Sequence, residues 1–355
     1  MLSSESEVLL RNQQYFENGR WLIVNATDSE IFSYFPKSVV GLHQLYDGYL
    51  NIHSQARGFH HFGPILSSDN SFDGAIIYWP KSKQHGVMLC HYVSTLLENE
   101  GHLLIVGDNK GGVKSAAKAL NKIGLSMNKI DSARHCTLIG TLVEDSDAIA
   151  HDKFDISKYV NTYSVKTDSH ELSLETLPGG FSSDALDPGS ALLLSTLDDL
   201  FNNNSAKKPL PPAKVLDFAC GNGAIGLSIA ASQAHTHVTL SDINALALTC
   251  AKSNVSRNNI DNNRVDIVTS NGLDEVTGQF DLIVSNPPFH SGTKTDYSIT
   301  ERFLIDAKKQ LRPNGKLQIV ANRFLKYPDQ LEQVFGNFRV VAQTTKFNVY
   351  QSIHS

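Results

Sequence analysis

The chain has 355 residues, with 31 Lys+Arg against 36 Asp+Glu, 41% hydrophobic and 19% charged residues. These proportions exclude a disordered chain, and the net charge of -5 excludes a globally basic nucleic-acid coat while leaving room for a local basic groove. No apolar run reaches the ~18 residues of a membrane helix, residues 1–7 lack the pattern of a signal peptide, and the four cysteines stand far apart, so a cytoplasmic, reduced protein of two domains is expected.

In chain order, residues 20–24 read as a strand, followed by an apolar run at 72–80. A helix-like stretch leads to a strand at 100–106, and a Gly111-Gly112 turn precedes a helix at 113–122. Residues 145–170 are polar and irregular, which places a domain boundary near 165 and gives domains 1–165 and 166–355. The Asn- and Pro-rich stretch 202–212 is an exposed loop. The carboxyl half then alternates regularly. Strands are expected at 215–219, 237–241, 265–269, 280–285 and 316–321, with helices at 224–232, 244–258 and 298–311. A closing hairpin spans 339–342 and 347–352. Strands alternating with helices imply a mostly parallel sheet covered on both faces, with its ligand at the carboxyl ends of the strands.

The amino half echoes this pattern. Phe72-Asp73-Gly74-Ala75-Ile76-Ile77-Tyr78-Trp79-Pro80 aligns with Phe280-Asp281-Leu282-Ile283-Val284-Ser285-Asn286-Pro287-Pro288. Glu100-Gly101-His102 aligns with Asn314-Gly315-Lys316, and Arg20-Trp21-Leu22 with Lys214-Val215-Leu216. Three matches in one order indicate a duplicated fold. The copies differ where chemistry would sit: Asn25-Ala26-Thr27-Asp28 has no glycine loop, and Tyr78 stands in the place of Asn286. The amino half therefore reads as a domain that kept the fold and lost the site.

Asp217-Phe218-Ala219-Cys220-Gly221-Asn222-Gly223-Ala224-Ile225-Gly226 joins a strand to a helix. Glycines let backbone approach a ligand, and the new helix offers free N–H groups. The spacing of Gly221, Gly223 and Gly226 also satisfies a dinucleotide fingerprint, and Asp242, ending the next strand, suits a ribose of either NAD or S-adenosylmethionine. Two features favour the methyl donor. Asp217 would repel a pyrophosphate but suits a cationic amino-acid tail. Asn286-Pro287-Pro288-Phe289 ends the fourth strand beside the glycine loop. An amide oxygen at Asn286 and the Pro287 carbonyl can accept the two N–H bonds of a delocalised exocyclic amine and turn its lone pair toward a methyl group. The prolines stiffen the loop, and Phe289 offers a face for a planar base.

Asp-x-x-x-Gly-x-Gly followed by Asn-Pro-Pro-Phe resembles class I S-adenosylmethionine-dependent methyltransferases that act on nitrogen. Leu177-Pro178-Gly179-Gly180-Phe181-Ser182, Leu186-Asp187-Pro188-Gly189-Ser190, His290-Ser291-Gly292 and Ile319-Val320-Ala321-Asn322-Arg323-Phe324-Leu325 are similar to the RsmC family. So are Ser6-Glu7-Val8-Leu9-Leu10-Arg11 and Tyr78-Trp79-Pro80-Lys81, so the resemblance covers essentially the whole chain. It implies two tandem Rossmann-like methyltransferase domains, the first degenerate, and methylation of guanine N2 in 16S ribosomal RNA. It implies that Asp217, Gly221 and Gly223 hold the methionine part of the cofactor, Asp242 the ribose, and Asn271 the region of the adenine, with Asn222 also among the cofactor-binding residues. Asn286, Pro287, Pro288 and Phe289 would carry the transfer. Phe181 and Asp187 would shape the pocket, although helix capping accounts for Asp187 equally well. His290 reads as a loop residue or an RNA contact, and no metal is expected.

The expected partner is ribosomal RNA within the small ribosomal subunit or an assembly intermediate, met by a monomer. Four alternatives stand beside this reading. They are a guanine-N2 enzyme of 23S ribosomal RNA, a glutamine methyltransferase, an NAD-dependent oxidoreductase and a non-catalytic RNA-binding assembly factor. The sister 23S family shares the Asn-Pro-Pro-Phe chemistry. Glutamine methyltransferases usually carry tyrosine where Phe289 stands.

Overall fold

The computed structural model describes residues 1–66, 71–144, 153–167, 170–181, 184–197, 214–288 and 297–355, the last segment as backbone alone at 297–299. The chain divides into two compact units, one of Met1–Val160 with Leu177–Gly179, the other of Asn161–Thr176 with Gly180–Ser355.

The first unit holds strands β1 (Trp21–Val24), β2 (Val40–His43), β3 (Phe59–Phe62), β4 (Phe72–Tyr78), β5 (Leu97–Asp108), β6 (Asn128–Ala133) and β7 (Cys136–Val143). Its helices are α1 (Ser4–Leu10), α2 (Tyr46–His53), α3 (Lys83–Ser94) and α4 (Ala116–Leu120). The seven strands are ordered β3-β2-β1-β4-β5-β7-β6. The first five are parallel, and β7 and β6 close the sheet antiparallel. Successive residues of β1 serve opposite cores: Leu22 and Val24 face one cluster, Trp21 and Ile23 the other. That is the pattern of a strand covered on both faces.

The second unit opens with β8 (Asn161–Lys166) and β9 (Glu171–Thr176), an antiparallel pair. Its main strands are β10 (Lys214–Phe218), β11 (His237–Asp242), β12 (Val265–Thr269), β13 (Phe280–Ser285), β14 (Leu311–Asn322), β15 (Arg339–Gln343) and β16 (Phe347–Ile353). Helices α5 (Pro188–Leu194), α6 (Ala224–Ser232), α7 (Ala245–Arg257), α8 (Tyr297–Gln310) and α9 (Tyr327–Phe335) complete it. The sheet order β12-β11-β10-β13-β14-β16-β15 repeats that of the first unit strand for strand. The duplication read from three sequence matches is therefore a duplication of the whole sheet. Both copies enter the turn after their first strand with the same left-handed residue, Asn25 at φ 55 and Ala219 at φ 55.

Three expectations change. The helix expected at 113–122 is broken: Ala116–Leu120 is α-helical, with 3-10 turns at Val113–Ser115 and Asn121–Ile123. The stretch 145–170, expected to be irregular, contains β8, which pairs with β9 just beyond it. The strand expected at 316–321 begins earlier, at Leu311, across a register irregularity between Phe280 and Leu282. The loop expected at 202–212 lies outside the described residues.

Candidate active site

The glycine loop leaves the carboxyl end of β10. Gly221 at φ 56 and Gly223 at φ 87 take the left-handed backbone that turns the strand into α6. Asp217 lies beneath this turn and is fully buried. Its Oδ2 accepts the Gly226 N–H at 2.7 Å, while its Oδ1 is buried without a partner. Burial pushes the Asp217 carboxyl up to about 8, against the Gly226 hydrogen bond and with help from the charge of Asp242. A buried carboxylate oxygen with no donor is costly, so the site as built calls for a cation or a hydrogen-bond donor from a ligand.

Asp242 ends β11, the neighbour of β10. Its Oδ2 accepts from the Gly221 N–H at 2.8 Å and its Oδ1 from the Asn244 N–H at 2.9 Å. It thus ties the glycine loop to the start of α7, where Asn244 caps the helix through Leu246 N–H. Burial raises its pKa as well. Both oxygens retain lone pairs, which suits a carboxylate that also receives hydroxyl donors. The next strand delivers Asn271 beside it, since Ser270 N–H donates to the Asp242 carbonyl at 3.1 Å. The turn at Asn271 is held by a residue the sequence did not single out. Glu275 Oε2 accepts from Ser270 Oγ and from Asn271 N–H, both at 2.9 Å.

Asn286 follows β13 directly. Pairing of Phe218 with Ser285 sets it beside the glycine loop, and Ser285 Oγ donates to the Phe218 carbonyl at 2.7 Å. The Asn286 side chain is buried. Its Nδ2 donates to Asp187 Oδ2 at 2.9 Å and to Ser190 Oγ at 2.9 Å, while Oδ1 has no partner. Pro287 is buried and Pro288 exposed. Phe289, together with His290, Ser291 and Gly292, lies outside the described residues. Asp187 does cap α5, accepting from Gly189 N–H at 2.8 Å and Ser190 N–H at 3.1 Å through the same oxygen that receives Asn286. Phe181, also expected to shape the pocket, is 58% exposed.

Asn222 stands apart from the other cofactor candidates. Its Nδ2 donates to Tyr163 OH and to the Glu175 carbonyl, each at 3.0 Å. Its side chain is spent on the β8–β9 hairpin, so what Asn222 offers the loop is backbone. Asn254 and Asn258 of α7 grip the same hairpin: Asn254 Oδ1 accepts from Glu175 N–H at 2.7 Å and Asn258 Oδ1 from Ser173 N–H at 2.8 Å. This hairpin was legible in principle. Leu172, Leu174 and Thr176 are buried in strict alternation with more exposed neighbours.

The first unit fills the corresponding places with its own bonds. Asn25 and Gln44 exchange hydrogen bonds at 2.8 and 2.9 Å. His43 occupies the position of Asp242, with its Nε2 3.1 Å from His60 Nδ1. Tyr78 is buried and its OH lies 2.6 Å from Ser6 Oγ.

Residues 171–351 match the family described as Methyltransferase small domain, and residues 6–163 match Methyltransferase small domain N-terminal. A curated relative from Pseudoalteromonas atlantica, named Ribosomal RNA small subunit methyltransferase C, is 40% identical over 99% of both chains. A relative of the same name from Shewanella denitrificans is 36% identical over 99% of both chains. The solved structure described as T. Thermophilus 16S rRNA N2 G1207 methyltransferase (RsmC) in complex with AdoMet and Guanosine covers 99% of this chain and 92% of its own. It superposes with a TM-score of 0.82 at 20% identity, which establishes a shared two-domain fold. By these relationships the chain belongs to the ribosomal RNA small subunit methyltransferase C family of S-adenosylmethionine-dependent methyltransferases.

Proposed function

We propose that this protein transfers a methyl group from S-adenosylmethionine to the exocyclic N2 of a guanine in 16S ribosomal RNA. The observation that carries the reading is the Asn286 amide, whose nitrogen is held by two acceptors and whose oxygen is buried and unpartnered at the end of β13. Such a group accepts one N–H of an amine and offers nothing to an acceptor atom. The names of the full-length relatives give the substrate class.

Bound S-adenosylmethionine supplies an electrophilic methyl group on a cationic sulfur. The residues fit it: the unpartnered Asp217 Oδ1 would meet an ammonium, the open space at Gly221 would allow close approach, and the Asp242 carboxylate would receive ribose hydroxyls. Asn271 would border the adenine. Asn286 Oδ1 and the Pro287 carbonyl accept the two amine N–H bonds, which draws the lone pair out of conjugation and aims it along the transfer axis. Phe289 of the Asn-Pro-Pro-Phe motif would offer a ring on which a flipped base can stack. No strong base is needed beforehand, because the methylated ammonium is acidic.

The same edge of the sheet carries a surface suited to RNA. β14 runs parallel to β13 and ends at Asn322, and the following Phe324 is 80% exposed between Arg323 and Lys326. An exposed ring flanked by cations stacks bases and meets phosphates. The first unit, without a donor site, acts in gripping and positioning the substrate, and the protein works as a monomer.

The test is methyl transfer from labelled S-adenosylmethionine to separate small and large ribosomal subunits from cells lacking the protein, with the RNA digested to nucleosides. Label in N2-methylguanosine from the small subunit supports the reading. Label only from the large subunit moves the substrate to 23S RNA. Cofactor binding without label in either points to another acceptor, and neither label nor binding to a scaffold.

A further inference from the structure

We propose that Asp187 and Ser190 are positioning residues that lock the Asn286 amide in its acceptor orientation; this rests on the role given to Asn286 above. A primary amide has two nearly isosteric ends. Only one of the two flips presents oxygen to a substrate amine. The fold removes the choice. Asp187 lies at a fixed point because its Oδ2 caps α5, held by Gly189 N–H at 2.8 Å and Ser190 N–H at 3.1 Å. That same oxygen lies 2.9 Å from Asn286 Nδ2. A carboxylate only accepts, so a flipped amide would set two acceptor oxygens against each other at this distance. Ser190 Oγ, buried on the first turn of α5, takes the second amide proton at 2.9 Å. Both Asn286 protons are therefore spent, and the oxygen is left free. The consequence is specificity as well as rate: the site favours atoms that carry hydrogen, such as an exocyclic amine, over ring nitrogens or carbonyl oxygens that only accept.

The first unit carries an independent copy of this arrangement. α1 packs on β5, β7 and β6 as α5 packs on β14, β16 and β15. Its cap is Ser3, whose Oγ accepts from Ser6 N–H, and Ser6 stands three residues after the cap as Ser190 stands three after Asp187. Ser6 Oγ then reaches the residue in the Asn286 position, lying 2.6 Å from Tyr78 OH, and donates to Asp28 Oδ2 at 2.5 Å. A cap, a serine one turn in, and a side chain at the end of the fourth strand recur in both copies. The copy that lost the amide kept the clamp, and the copy with the amide pairs it with a carboxylate.

The test separates clamping from helix capping. Asp187→Ser keeps a good cap, because serine and aspartate cap comparably, but its oxygen is one atom shorter and withdraws from Asn286. Ser190→Ala leaves the cap untouched. We expect the double variant D187S/S190A to lose about tenfold to a hundredfold in kcat, with the Kd for S-adenosylmethionine and the melting temperature near wild type. Asp187→Asn, whose amide oxygen can occupy the Oδ2 position, is expected to recover most of the activity that D187S loses. Introduced into Asn286→Ala, the double substitution is expected to change kcat less than twofold, since no amide remains to hold. A D187S/S190A enzyme with wild-type kcat overturns the proposal, as does an equal further loss in the N286A background. Full activity of N286A alone would instead overturn the role of Asn286 itself.

Discussion

Replacing Asp217 by asparagine tests whether the first strand ends in a charge held for a ligand. The carboxyl is fully buried and is held at about 8, against 3.8 for a free aspartate. The unfolded chain ionises near 3.8 while the folded chain keeps its proton, so the unfolded state binds fewer protons and stability falls as pH rises between these values. The loss contributed by this one group is about 2 kcal/mol at pH 5 and about 5 kcal/mol at pH 8, and it levels off above that. Asparagine keeps an acceptor for Gly226 N–H and never ionises. Asp217→Asn should therefore be more stable than wild type at pH 8, by up to these few kcal/mol, with the gain shrinking toward pH 5. It should also bind S-adenosylmethionine far more weakly, because the ammonium then meets an amide. Both tryptophans, Trp21 and Trp79, lie in the first unit, so their emission reports that unit alone. The assay is urea unfolding at pH 5 and pH 8, with far-UV circular dichroism following the transition that tryptophan emission does not see. Calorimetric titration gives the cofactor affinity. A variant with unchanged affinity, or one no more stable than wild type at pH 8, would refute the account of Asp217.

Two further outcomes follow from the packing. Burial, with the neighbouring His60, His53 and His61, lowers the His43 pKa from 6.5 to about 3, so the unfolded chain binds more protons and stability is lost as pH falls below 6.5. His43→Phe should remove a loss of about 2 kcal/mol at pH 5, read by tryptophan emission; an unchanged pH slope would count against it. Gly226→Ala would set a Cβ 2.3 Å from Leu240 Cδ2 and 3.0 Å from the Asp217 carboxylate. It should cost about 1–3 kcal/mol of stability in the second unit and weaken cofactor binding by displacing Asp217, and wild-type affinity would show that this contact is slack.

Much of the second sheet was legible because β10, β12 and β13 are short runs rich in apolar residues, each followed within a few residues by glycine or proline. The helix at 224–232 coincides with α6, and the strands at 265–269 and 280–285 coincide with β12 and β13. What escaped was set by tertiary bonds. The β8–β9 hairpin sits in a polar segment, and its place is fixed by amides arriving from Asn222, Asn254 and Asn258, up to 85 residues away. The helix at 113–122 has the right composition but splits into turns, an outcome that periodicity cannot forecast. At the site, the residue types were legible but their partners were not. Asp187 could be a cap or a pocket wall on sequence grounds; one oxygen turns out to cap α5 and to hold Asn286 across 99 residues.

The two units together explain why a duplicated fold carries one site. Asp217, Asp242 and Asn286 each have a counterpart position in the first unit, closed there by an apolar side chain or by an internal bond. Where Asp217 leaves an oxygen unpaired below the glycine loop, the first unit has the buried apolar Ile23, and the turn that follows is closed by Asn25 bonded to Gln44. Where Asp242 faces the loop, His43 packs against the tilted rings of Phe32 and Tyr49 and is bonded to His60. Where Asn286 leaves an oxygen free, Tyr78 fills the place with a ring and a satisfied hydroxyl. Unpaired buried oxygens cost stability, so a copy released from binding a ligand gains by closing them. Among the described residues of the second unit that cost is retained at Asp217 and Asn286, where a ligand would supply the missing partner, and also at Ser241, Gln310, Asn322 and Asn348.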